Sequence, residues 1–230
     1  MNHNLLVIGH RGAKGVYPEN TLGSIQKAIE AGADMVEIDV HACASGEIVV
    51  MHDDRLERTT DGTGYVSRKS LTYLKGLNAG KGEKVPTLRE VLDLIDRRIA
   101  VNIELKGPGT LGPVLHIIGE YVSRHGWTYD QFVVSTFTRK HLKRLAKHHP
   151  KVRIGALLAY RPWGFIPFAR AIRAYSIHLN LRVTSPRIIR EAREAQLKVF
   201  VWTVNDPVDI DRMRDWGVDG IFTDFPALLS

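Results

Sequence analysis

The chain has one cysteine, Cys43, in 230 residues, so it closes no internal disulfide and thiolate-rich zinc chemistry is excluded. A reducing, cytoplasmic setting is the expectation that follows. No apolar run approaches the ~20 residues that span a bilayer. The opening run from Leu5 to Ile8 is too short for the apolar region of a signal peptide. No P-loop pattern occurs, which removes one common phosphate cradle. Acidic residues are missing altogether from 131–190, where 13 Lys and Arg fall. The net charge of +7 therefore sits in the second half of the chain. Read as solvated helix faces, this window explains solubility; read as a binding surface, it would attract anionic lipid or nucleic acid.

Apolar runs at 5–9, 35–40, 100–105, 132–136, 152–158, 176–181, 198–204 and 219–223 read as strands separated by helix-period segments. Eight β-then-α units predict a parallel sheet, and the expected fold is an α/β (β/α)8 TIM barrel, with 1–230 as one catalytic domain. Thr87 with Glu90 spells a capping box, and Ser185-Pro186 and Asp206-Pro207 each place a cap before a proline. One stretch breaks the rhythm. A hairpin-like "SGEIVVMHDD" leads into 54–85, which has no long apolar period and reads as a small insertion over the barrel mouth.

Side chains at i and i+2 of a strand share a face, so Glu37 and Asp39 project together, roughly 6.6 Å apart along the backbone. In "VNIELKG" the same rule pairs Glu104 with Lys106. Both pairs fall at C-terminal strand ends, where such barrels carry their chemistry. Three interior carboxylates repel one another without a cation, so Mg²⁺ or Ca²⁺ on Glu37, Asp39 and Glu104 is the economical solution; a metal-free Lys106–Glu104 ion pair is the bland one. His10 in "GHRGAKGVYPENT" and His52 in "VVMHD" suit acid and base work near neutrality. Arg11 offers a guanidinium fork to phosphate oxygens, and a salt bridge to a barrel carboxylate is compatible with that role. Trp202 and Phe137, each near a strand end, are candidate apolar walls for a substrate's carbon backbone. His41 shares the parity of Asp39, and a solvent-exposed place at the loop entrance is expected for it.

The blocks "GHRGAKGVYPENT", "GADMVEIDV", "GEIVVMHDDRLERTTDGTG", "VPTLREVL", "VNIELKG", "VFVWTVND" and "GVDGIFTDFP" run from the first strand to the last. In these blocks the sequence resembles the glycerophosphodiester phosphodiesterases. The resemblance implies a (β/α)8 barrel with an insertion at about 54–85. It also implies hydrolysis of a small-molecule glycerophosphodiester to glycerol 3-phosphate and an alcohol. By position it puts the acid/base pair on His10 and His52, the divalent-cation ligands on Glu37, Asp39 and Glu104, and the phosphate contacts on Arg11 and Lys106. Segment 41–46 departs from the family pattern, and 160–175 matches no block.

Two other readings are carried. Lysophospholipase D action at an anionic membrane surface would use "RPWGFIPFARAIRAY", with Trp163, Phe165, Ile166 and Phe168 among Arg161, Arg170 and Arg173. Its bland counterpart is a barrel helix with an aromatic core face. A nucleic-acid-binding module using the basic half is the remote reading, and no nucleic-acid partner is expected because the clustered carboxylates argue against it.

Overall fold

The computed structural model describes residues 5–159 and 164–229. Eight parallel strands close into a barrel: β1 (Leu6–His10), β2 (Met35–Ala42), β4 (Ala100–Leu105), β5 (Phe132–Thr136), β6 (Arg153–Leu158), β7 (Ser176–Asn180), β8 (Lys198–Trp202) and β9 (Gly220–Thr223). Closure comes from β1 pairing with both β2 and β9. All eight expected runs form strands, so the (β/α)8 expectation holds. A ninth strand, β3 (Ile48–Val50), turns back antiparallel on β2 and is the hairpin read in the sequence.

Alternation along the strands builds two cores. Outward residues such as Val36, Ile38, Val101, Ile103, Val134 and Ile221 pack under the helices. Inward residues Ile8, Met35, Val133, Phe200 and Phe222 plug the barrel floor. The surrounding helices are α1 (Leu22–Glu30), α3 (Leu88–Ile95), α4 (Leu111–Arg124), α5 (Arg139–His148), α6 (Phe165–Ala171), α7 (Pro186–Glu194) and α8 (Pro207–Asp215). The α3 helix shows how the sequence does this. Its buried Leu88, Val91, Leu92 and Ile95 recur at i, i+3, i+4 and i+7, each contributing about 1.5–3 kcal/mol on burial. Thr87 and Glu90 satisfy both halves of its capping box. Ser185 and Asp206 cap α7 and α8, each with proline in the first turn.

A glycine-rich turn of dinucleotide spelling, Gly107-Pro108-Gly109-Thr110-Leu111-Gly112, does follow β4 and open α4. Here it sits on a closed barrel, its Thr110 hydroxyl donates to the Gly107 carbonyl, and Pro108 has no N–H to offer an anion. The spelling therefore carries no dinucleotide reading.

Segment 54–85 is more ordered than its composition suggests. It holds α2 (Leu71–Gly76), capped by Ser70, and a bridge between Arg55 and Tyr65. Leu56, Val66, Leu74, Ala79 and Val85 bury one another together with Cys43, Val49 and Met51. This cluster anchors the insertion to the β2–β3 hairpin, beside the barrel mouth.

The described part of the basic, aromatic segment takes the form of a barrel helix with an aromatic core face. Trp163 and Arg161 lie outside the described residues. Phe165 and Ile166 are buried in the core beneath α6, and Phe168 is half-buried under the Arg139 guanidinium, 4.9 Å from its ring centre. Periodicity places these side chains on the packed face of the helix, where Phe165 and Ile166 join the barrel's core.

Candidate active site

Three carboxylates meet inside the mouth. Glu37 and Asp39 come from β2 and Glu104 from β4, with 3%, 1% and 9% of their surfaces exposed. Asp39 and Glu104 are direct register partners, so strand pairing alone brings them together. One ligand oxygen from each lies within 4.8 Å of the others. Burial and the neighbouring Asp39 and Glu104 charges push Glu37 well above the ordinary carboxyl range. Burial and Asp39 lift Glu104 to about 7, although Lys106 opposes this through a 2.8 Å bond.

Two imidazoles flank the acids, each oriented through Nδ1. His10, at the end of β1, donates to Asp224 Oδ1 at 2.6 Å. Asp224 is itself held by the Asn205 amide at 2.9 Å. His52 donates to Asp53 Oδ1 at 2.6 Å, and Asp53 takes two further bonds from Arg58. Lys106 Nζ lies 3.2 Å from His52 Nε2. An ammonium only donates, so that nitrogen is the acceptor and His52 is the neutral Nδ1–H tautomer. Burial pulls both histidines below the usual imidazole value.

The cations are spoken for. Arg11 Nη1 donates to Glu19 at 2.8 Å, Arg11 Nε lies 3.3 Å from Asp39, and its backbone N–H donates to Glu37. Lys106 sits 3.8 Å from Asp39 besides its bond to Glu104. The salt bridges weighed for both residues are therefore present. Glu19 in turn takes two bonds from Arg58, and these cations hold its carboxyl at about 2 against the opposing cost of burial. Phe137 and Trp202 meet edge to face, 6.0 Å between centres, with Phe137 43% exposed. They line the rim on the Lys106 side, whose Nζ is 6.0 Å from the Phe137 ring.

His41 corrects an expectation. It is buried rather than exposed, because Gly107 lies against its ring and Nε2 donates to the His52 carbonyl at 3.1 Å. It supports the catalytic candidate rather than guarding the entrance.

Sequence reasoning missed Asp224, Asp53, Glu19, Asn20 and Arg58. Asn20 Nδ2 donates to Asp39 Oδ2 at 3.0 Å. Asp224 had a readable signal: Phe222 points inward, so two residues on the chain returns to the mouth. The other contacts depend on the turn after β1 and on the insertion, which carry no period.

A closed barrel with acid/base, acidic and cationic groups at the C-terminal ends of its strands defines a class of phosphodiester-cleaving enzymes. A model of the glycerophosphoryl diester phosphodiesterase family matches residues 10–228. A glycerophosphodiester phosphodiesterase from Caldanaerobacter subterraneus is 36% identical over 240 residues, covering 97% of this chain and 96% of its own. One from Bacillus subtilis is 30% identical, with 97% and 85% covered. The solved structure of an Oleispira antarctica phosphodiesterase with its product sn-glycerol-3-phosphate matches with a TM-score of 0.89 at 30% identity, covering 97% of this chain and 94% of that one. The chain belongs to the glycerophosphoryl diester phosphodiesterase family and is an enzyme of that class.

Proposed function

We propose that this enzyme hydrolyses small-molecule glycerophosphodiesters to glycerol 3-phosphate and an alcohol. The observation that carries the reading is the convergence of two oriented imidazoles on one buried acid trio at a single mouth. The product held by the Oleispira antarctica relative supports the substrate class.

Glu37, Asp39 and Glu104 fit a divalent cation. Oxygens that share one ion at about 2.4 Å lie no more than about 4.8 Å apart, and the trio falls within that limit. Burial and mutual repulsion raise Glu37 and Glu104, and a divalent cation would relieve that repulsion. Mg²⁺ or Ca²⁺ bound there supplies Lewis acidity to the phosphate and to a glycerol hydroxyl or water.

The residues divide the remaining work. With Nδ1 engaged by a carboxylate, each imidazole has Nε2 as its reactive nitrogen, which on His52 means that the nucleophile or leaving group takes the place of the Lys106 ammonium: one ring removes the nucleophile's proton, and the other donates to the leaving alcohol. Asp224 and Asp53 fix the ring orientations. Arg11 and Lys106 stabilise charge on the phosphoryl oxygens while remaining tied to the acids. Phe137 and Trp202 wall the glycerol carbons, and the insertion over 54–85 completes one catalytic unit with the barrel. Glycerol 3-phosphate release from glycerophosphocholine, measured in chelator and after adding back Mg²⁺ or Ca²⁺, tests the reading. Release that is unaffected by chelator overturns the metal assignment, and no release with either ion overturns the substrate.

A further inference from the structure

Outside the acid trio, a cavity of about 720 Å³ opens between the turn after β1 and the insertion. It is of substrate size. Its inner wall is shared with the site: Glu19 and Arg58 line it, and the same two residues tie Arg11 and Asp53 together. Lys14, another lining residue, lies 3.9 Å from the Asp224 oxygen that holds His10. The cavity therefore abuts the partners of both histidines.

The charges facing it are three cations and two acids: Lys14, Arg58 and Lys81 against Glu19 and Asp61. Glu19 is consumed by Arg11 and Arg58, and Asp61 accepts from the Asn78 backbone N–H at 2.9 Å. Lys14 has only the Asp224 oxygen already given to His10, and Lys81, whose Nζ donates to the Val16 carbonyl at 3.2 Å, makes no ion pair among the described residues. Neither lysine has a carboxylate to itself, so both charges face the cavity. Thr59, also on the wall, has a buried hydroxyl without a partner among the described residues. The only aromatic ring of the lining, Tyr17, is already covered by Lys81 Nζ at 4.8 Å, so a quaternary ammonium would meet a cation where it needs a bare ring face.

We infer that this cavity is the leaving-alcohol subsite and that it selects headgroups carrying an anion of their own, a second phosphate above all, through Lys14 and Lys81. The inference rests on the proposed diesterase reading and names its preferred substrate class.

The test compares kcat/KM on glycerophosphoinositol 4-phosphate, glycerophosphoinositol and glycerophosphocholine. At low salt the phosphorylated headgroup is expected to exceed its neutral parent by about tenfold, with the choline diester lowest, and high salt should collapse that ratio because exposed charges are screened beyond about 10 Å at 0.1 M. In Lys14→Ala/Lys81→Ala the phosphorylated-to-neutral ratio should fall to near one, and Lys14→Glu/Lys81→Glu should invert it. Equal rates on all three diesters, or a salt-insensitive ratio, overturn the subsite while leaving the diesterase reading intact. Hydrolysis of none of the three overturns both.

Discussion

The two histidines sit in contrasting regions. His10 belongs to the barrel: its partner Asp224 is 214 residues away, brought alongside when β9 closes on β1, and the pair is 13% and 16% exposed. His52 belongs to the hairpin and insertion. Its partner is the next residue, the pair is about twice as exposed, and Arg58 and Lys106 brace it. One imidazole is oriented by global closure and the other by a local, polar and partly solvated network. Rigid packing and redundant polar bracing are two ways to hold a ring, and they should fail differently.

The largest effect tests both rings. His10→Ala and His52→Ala should each lower turnover by about 10²–10⁴-fold, the range of a lost acid or base, and retention of more than a few per cent by both variants ends the two-histidine assignment. Removing the partners separates the regions. Asp224→Ala should cost about 10²-fold, because misplacing a reacting group has effects of that size, whereas Asp53→Ala should cost nearer tenfold because Lys106 still holds His52. The reverse order breaks the comparison. Since burial lowers both imidazoles below 6.5, the acid limb of kcat/KM against pH should lie below pH 6.5.

The acid trio between the two regions gives a stability prediction of its own. A carboxyl raised in the folded state binds its proton more tightly there, so its contribution to stability is present at low pH and lost as pH rises. For Glu104 that window runs from 4.5 to about 7. Thermal unfolding in chelator should therefore worsen across that window, and divalent cation should raise Tm more at pH 8 than at pH 5. A cation at 100 times its Kd supplies about 2.7 kcal/mol, and an equal Tm rise at both pH values would count against cation binding by these acids. Glu37→Gln should abolish turnover yet stabilise the chelated protein, as denaturation would reveal. The smallest effect lies outside both regions: Thr87→Ala should cost about 1 kcal/mol in urea unfolding and leave kcat unchanged.

Much of this arrangement was legible in the chain. Period-2 alternation put Glu37 with Asp39 and Glu104 with Lys106, and the apolar runs and caps located all eight barrel strands. The insertion's own core was not legible, because Leu56, Val66, Leu74, Ala79 and Val85 are spaced by tight turns and one short helix and follow neither period. His41 was misread for a related reason. Parity gave its face, but only the approach of Gly107 from the end of β4 buries it.

The sequence by itself determined the strands, the helix starts and the facing of the acids, since these follow from backbone periodicity and capping within a few residues. Tertiary structure decided which carboxylate holds which imidazole, how Glu19 and Arg58 tie the insertion to the barrel, and which lysines face the cavity beside them. Those pairings join residues up to 214 positions apart, and only closure of the barrel brings them within hydrogen-bonding distance.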